Sequence, residues 1–215
     1  MTRSIPIRRY DGRVMGYSQT TALIVVDVQN DFAHPSGSLF VRGAEAVVTR
    51  AGDEVRRAAA AGATVVYTQD WHPPSTPHFA KDGGIWPVHC VAGSWGAELH
   101  AGLPVPGEVV RKGSKGEDGY SGFTMRDPTT GEERPTELEA TLRGHGVREV
   151  AICGLATDYC VRGTALDAIR LEFGTTLLTE GVAAVDLAPG DGDRALLEMM
   201  AAGVRLQPPR AQNQG

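Results

Sequence analysis

Short, unbroken apolar runs alternate along this chain with segments of helical periodicity. Residues 22–27, ALIVVD, form one such run and end in a carboxylate, the pattern of a strand buried on both faces of a parallel sheet. The same reading predicts a helix over 43–61, strands over 63–69 and 108–112, a helix over 136–144 and a strand over 148–153. A helix over 157–172, a strand over 174–179, a helix over 191–202 and a short strand near Val204–Leu206 complete the series. Strands alternating with helices imply right-handed crossovers, so the expected fold is a three-layer α/β/α domain around a mostly parallel, doubly wound sheet. Two stretches interrupt the pattern. Residues 70–107 are broken by Pro, Gly, His and Trp, and 113–135 are rich in Gly, Asp and Glu. A loop as long as the first is usually functional in a compact domain. Residues 20–207 read as a single domain, with 1–19 expected to be an N-terminal extension and 208–215 a flexible tail.

Composition narrows the function. The formal net charge of −5 on 215 residues gives no electrostatic footprint for nucleic acid or an anionic membrane. No apolar run approaches the roughly 18 residues that span a bilayer, and the first twenty residues lack the apolar core of a signal peptide, so a cytoplasmic protein is expected. Three cysteines do not make a disulfide framework, and each must be judged as core filler, ligand or nucleophile. Only three of the 21 basic residues are lysines, which makes every lysine position worth questioning.

Sites in open α/β sheets form beyond the carboxyl ends of the strands. Here the predicted strand ends carry unusual chemistry: Asp27 after the first, Asp70 and His72 after the second, Lys112 on the third, and a strand ending at Cys153 that leads to Cys160. Each has a bland explanation alone, the carboxylates as caps and the thiols as small hydrophobes. Together they place a carboxylate, an amine, a thiol and an Asp/His cluster on one rim. Cys160 follows a helix entry at Ala156, Thr157 and Asp158, where helix amides and a nearby Lys112 favour its thiolate. Cys153 fits a core filler, and Cys90, beside His89, is open to either a metal-ligand or a packing role. Asp70 and His72 are two apart and aim the same way on an extended strand, and the prolines of WHPPSTPH stiffen the turn that returns His78. With His89 they offer one carboxylate and three imidazoles, a donor set for a divalent ion such as Zn²⁺, Fe²⁺ or Mn²⁺. His34, His100 and His145 have no comparable context.

The motifs ALIVVDVQNDF at 22–32, GSL at 37–39, TQDWHPPSTPHF at 68–79, WPVHCVAGSWGAELH at 86–100, RKG at 111–113, YSGF at 120–123 and GLATDYCVRGTALDA at 154–168 occur in an order that resembles the nicotinamidase group of the isochorismatase-like cysteine hydrolases. The resemblance covers roughly residues 20–205. It implies that fold, a catalytic triad of Asp27, Lys112 and Cys160, an oxyanion hole from the amides of Ala156 and Cys160, and a cis peptide before Ala156. It also implies a metal held by Asp70, His72, His78 and His89, and ring walls from Phe32 and Trp86 with Tyr120 nearby. The implied reaction is hydrolysis of nicotinamide through a thioester, in NAD salvage, by an enzyme whose partner is that small amide; a homo-oligomer stays open. Three features depart from the family pattern: Tyr159 precedes Cys160 where bacterial relatives often carry His, the N-terminal extension lies outside the motifs, and the 113–135 segment carries more charged residues than catalysis needs.

A sibling hydrolase acting on another small amide, a carbamoyl compound or a vinyl ether shares the triad but not the full metal motif. A non-catalytic metal-binding module requires none of Asp27, Lys112 and Cys160. A thiol redox protein is disfavoured because no CxxC pair exists, so a resolving cysteine has to come from Cys90 or Cys153.

Overall fold

The computed structural model describes residues 15–104 and 107–208. Residues 1–14 of the expected extension and 209–215 of the expected tail lie outside the described residues.

Strand β1 (Thr21–Val26) is buried throughout, and its alternate side chains feed two separate cores. Leu23 and Val25 join one core, while Ala22, Ile24 and Val26 join the other, as the two-residue period of a strand covered on both faces requires. A four-residue turn of helix follows, α1 (Asn30–Ala33), and then α2 (Ala44–Ala60), whose Val47, Ala51 and Val55 pack on the first core. Next come β2 (Thr64–Asp70), β3 (Glu108–Lys112), β4 (Thr124–Arg126) and β5 (Glu133–Pro135). Helix α3 (Leu138–Gly144) leads to β6 (Glu149–Leu155). A π-helical turn over Thr157–Val161 then opens α4 (Arg162–Arg170), followed by β7 (Gly174–Ala183), α5 (Asp191–Ala202) and β8 (Arg205–Gln207). Leu138, Leu142, Ala165, Ala168 and Met199 of α3, α4 and α5 cover the second core.

The main sheet has the order β3-β2-β1-β6-β7-β8, and every neighbouring pair is parallel. This is the expected three-layer, doubly wound α/β architecture. The order reverses at β1, which pairs with β2 on one side and β6 on the other. The crevice beyond the carboxyl ends of those strands is where such folds bind ligands. Close approach of β1 and β6 explains Gly154, which has φ +125°: a Cβ there would collide with the Val26 carbonyl.

Three expectations need correction. The 113–135 segment contains an antiparallel hairpin, β4 with β5, closed by Asp127, whose carboxylate accepts from the amides of Thr129 and Thr130. Strand β7 runs past residue 179 to Ala183 because an irregularity opposite Ile152 and Gly154 lets it rejoin the ladder at Val182. The helix expected from Thr157 begins as a π turn, in which the Val161 amide donates to the Ala156 carbonyl five residues back. Among the described residues no helix is long and apolar enough to cross a membrane.

Candidate active site

Asp27 stands one residue beyond β1 with φ +48°, which turns its carboxylate off the strand axis. Thr68 of β2 fixes it from both sides: the Thr68 hydroxyl donates to Asp27 Oδ1 at 2.6 Å and accepts from the Asp27 amide at 3.2 Å. Lys112, the last residue of β3, is buried with its ammonium directed inward. Its Nζ lies 2.9 Å from Asp27 Oδ2 and 3.6 Å from Cys160 Sγ, and it also donates to Asp70 Oδ1. Side-chain donor atoms of Asp27, Asp70 and Cys160 all fall within 4.8 Å of one another. The structure therefore gathers the three rim residues around one amine. The Leu155–Ala156 peptide that leads into the π turn bearing Cys160 is cis, in line with the resemblance.

Burial sets the electrostatics of this group. Burial alone would depress the Lys112 ammonium, but Asp27 and Asp70 outweigh it and hold its pKa well above the ordinary value. Burial raises Asp27, with Lys112 opposing and Asp70 adding to the rise. Asp70 goes the other way: Lys112, His72 and His89 overcome its burial and keep it well below the ordinary carboxylate range. Burial also pushes the Cys160 thiol well up, against the pull of Lys112 and with the help of Asp27 and Asp70. Desolvation thus works against the thiolate that the helix entry and Lys112 favour.

Beside this group His72, His78 and His89 present ring nitrogens within 4.8 Å of one another. The His72 backbone is held like a strand residue, donating to Cys90 and accepting from Ala92. Gly113 passes so close to the His72 ring that a Cβ there would sit 2.7 Å from it, which a side chain would not tolerate. His89 Nδ1 lies 2.7 Å from the Pro87 carbonyl, which leaves Nε2 free, and burial lowers its pKa to about 4, so the ring is neutral and available as a ligand. His78 Nδ1 lies 3.2 Å from Asp118 Oδ1, a contact that helps lower the Asp118 carboxyl to about 2. Asp70 Oδ2 is 3.7 Å from His72 Nε2 and 3.9 Å from His89 Nε2, while its other oxygen is on Lys112. Asp70 therefore joins the triad to the histidines. Both ring nitrogens of His72 are buried with no hydrogen-bond partner. Three clustered imidazoles, one with two orphaned nitrogens, and a carboxylate kept ionised fit a borderline divalent ion.

A pocket with about 390 Å³ of empty space opens onto Cys160, Asp70, His78 and His89. Phe32, Trp86 and Tyr120 line it as expected, and so does Tyr159. The ring of Tyr159 meets Trp86 edge-on at 4.9 Å and Tyr120 at 5.1 Å, and Trp86 Nε1 donates to the Tyr120 hydroxyl at 3.2 Å. Phe32 is tilted against His89 at 5.3 Å. Leu39, the last residue of the quoted GSL motif, also lines the pocket with Val41 and Val185, which no local pattern announced. Nor did the sequence reading single out Thr68, Gln29 or Asp31 as supports, although each belongs to a quoted motif. Asp118 had no sequence signal. Cys90 takes the packing role, buried in the first core with its amide donating to Asp31 Oδ2 at 2.7 Å. Cys153 is core as expected, its thiol pushed far up by burial.

The fold and site define a cysteine-hydrolase type of centre, and comparison with known proteins gives its family. Residues 21–207 match the isochorismatase domain, and the chain belongs to that family. It is 40% identical over 190 residues to the nicotinamidase/pyrazinamidase of Mycobacterium tuberculosis, covering 86% of this chain and 97% of that one. The nicotinamidase of Escherichia coli is 36% identical over 204 residues, covering 86% and 93%. Pyrazinamidase of Pyrococcus horikoshii, solved in complex with zinc, superposes with a TM-score of 0.79 at 39% identity and covers 88% of this chain and 99% of that one.

Proposed function

We propose that this chain is a cytoplasmic nicotinamidase, a hydrolase of one domain over residues 20–207 that converts nicotinamide to nicotinate and ammonia in NAD salvage. One observation carries the reading: Lys112 holds Asp27 and Cys160 together beside the cluster of His72, His78 and His89, and Cys160, His78 and His89 open onto one pocket that Phe32, Trp86 and Tyr120 also line. The similarity to nicotinamidases over most of the chain supports it.

In this reading Asp27, made more basic by burial, takes the Cys160 proton as the sulfur attacks the carboxamide carbon. Lys112 keeps the anionic charge compensated while it moves from carboxylate to sulfur. The amides of Ala156 and Cys160, at the entry to the π turn, are assigned to the oxyanion. Asp27 returns the proton to nitrogen, the C–N bond breaks and ammonia leaves a thioester. Asp27 then takes a proton from water as the oxygen attacks the thioester carbon, nicotinate departs and the thiol regains its proton. Asp70, His72, His78 and His89 are assigned to hold one divalent ion, Zn²⁺, Fe²⁺ or Mn²⁺, which when bound supplies a Lewis-acid contact for the pyridine nitrogen. Phe32, Trp86 and Tyr120 hold the ring, with Tyr159 bracing the last two.

The test is ammonia release from nicotinamide by the purified protein, with and without chelation of bound metal. Turnover that chelation abolishes and a divalent ion restores is expected. No release from nicotinamide under any metal condition would overturn the reading in favour of a sibling hydrolase.

A further inference from the structure

The segment between β3 and α3 carries Asp118, which belongs to none of the quoted motifs and which meets His78 of the histidine cluster. Asp118 Oδ1 lies 3.2 Å from His78 Nδ1, with the His78 side chain 8% exposed and the Asp118 side chain 22% exposed. The Asp118 carboxylate is itself fixed. Oδ1 accepts from the Gly119 amide at 2.8 Å, and Oδ2 accepts from the Arg126 guanidinium at 3.2 Å. The backbones of Asp118 and Arg126 exchange both amide–carbonyl bonds as an isolated antiparallel bridge. Arg126 ends β4, so the hairpin is the brace behind the carboxylate. A second tie runs alongside, from the Thr76 hydroxyl to the Gly116 carbonyl at 3.3 Å.

The three imidazoles differ in what holds the nitrogen turned away from the cluster. His89 has a backbone carbonyl, His72 is clasped by its backbone and by Gly113, and His78 has a carboxylate. His78 comes from the turn over residues 73–79, where its amide donates to the Thr76 hydroxyl at 3.3 Å and its carbonyl accepts from the Trp86 amide at 3.4 Å. A carboxylate that takes the Nδ1–H of an imidazole fixes its tautomer and orientation and leaves Nε2 as the donor atom.

We propose that Asp118 is a positioning residue for the metal: it orients His78 as a ligand, and the β4–β5 hairpin exists in this chain to hold Asp118 through Arg126. This rests on the assignment of His72, His78 and His89 to a divalent ion. Asp118→Ala should weaken binding of Zn²⁺ alone, read by competition with a chromophoric chelator, by roughly 10- to 100-fold. Asp118→Asn, whose amide oxygen still accepts, should lose less. In a His78→Ala background Asp118→Ala should cost no further affinity, because its effect passes through that ring. With Co²⁺ in place of Zn²⁺, Asp118→Ala should shift the visible ligand-field bands, whereas circular dichroism should report an intact fold. An Asp118→Ala protein that binds Zn²⁺ within twofold of wild type overturns the proposal, and so does an equal loss in the His78→Ala background. Those results leave the proposed function standing. A wild-type protein with no affinity for Zn²⁺, Fe²⁺ or Mn²⁺ overturns both.

Discussion

Two walls of one pocket are built by different means. Asp27 and Lys112 project from the ends of β1 and β3, and Cys160 from the turn after β6, so parallel ladders set their spacing. His72, His78 and His89 come from residues 71–100, which contribute no strand to the main sheet and meet the rest through isolated bridges and side chains. The residues that follow Asp27 act as the clip. The Gln29 amide donates to the carbonyls of Asp70 and Ala97 and accepts from the Asp70 amide, Asn30 donates to the Trp95 carbonyl, and Asp31 accepts from the amides of Ser38 and Cys90. The contrast lies in construction: Asp27, Asp70 and Lys112 are set at or just beyond the ends of paired strands, while the three histidines sit on a loop pinned by buried polar side chains.

This comparison can be broken at either wall. Cys160→Ala on the ladder side should have the largest effect, a loss of turnover of roughly 10⁵-fold or more with the fold and metal content unchanged. Residual amidase activity near the wild-type level would remove Cys160 from the nucleophile role. Lys112→Met should slow acylation by roughly 10³-fold and leave Asp27 and Asp70 as uncompensated neighbours, which costs on the order of 3 kcal/mol in urea unfolding. Single-turnover kinetics beside equilibrium unfolding separates the two parts, and a variant with wild-type acylation would show that the amine is only structural. On the loop side, Asp31→Ala should strand two amides and lower stability by roughly 3 kcal/mol. It should also weaken metal binding while the chemistry of the metal-loaded enzyme changes little, and a variant that instead lost acylation with its metal intact would erase the distinction between the walls. Cys153→Ala should matter least, about 1 kcal/mol of stability from a small cavity with kcat unaltered, as thermal unfolding and steady-state rates would reveal.

The same contrast explains what was legible in the sequence. Strands β1, β2 and β6 announced themselves because burial on both faces demands unbroken apolar runs, edge strand β3 only through its short Val109–Val110 run, and α2 because its apolar face repeats with helical period. Asp27, Lys112 and Cys160 could then be placed on one rim by topology. The hairpin could not, since β4 and β5 are three residues each, with no buried face to impose an alternation; backbone pairing and the Asp127 turn hold them together. The extra length of β7 is hidden by Glu180 and Gly181, polar and small residues in the irregular stretch. The π turn has no compositional signature, because the choice between a four- and a five-residue step at Ala156 depends on tertiary packing. Asp118 reaches His78 across 40 positions of sequence, a distance that no local pattern encodes.

The central claim, that thiol chemistry and a metal-type cluster serve one bound ring, is tested most directly by comparing kcat/KM for nicotinamide and benzamide on the metal-loaded enzyme. Phe32, Trp86 and Tyr120 should hold the two rings alike, as they differ only at the ring nitrogen. If that nitrogen is recognised at the histidine cluster, benzamide should lose about 2 kcal/mol or more, roughly 30-fold in kcat/KM, because a site built for a polar contact rejects an analogue lacking it. Equal values for the two amides would contradict the account: the ring would then be held by shape alone, and the cluster would serve the loop rather than the substrate.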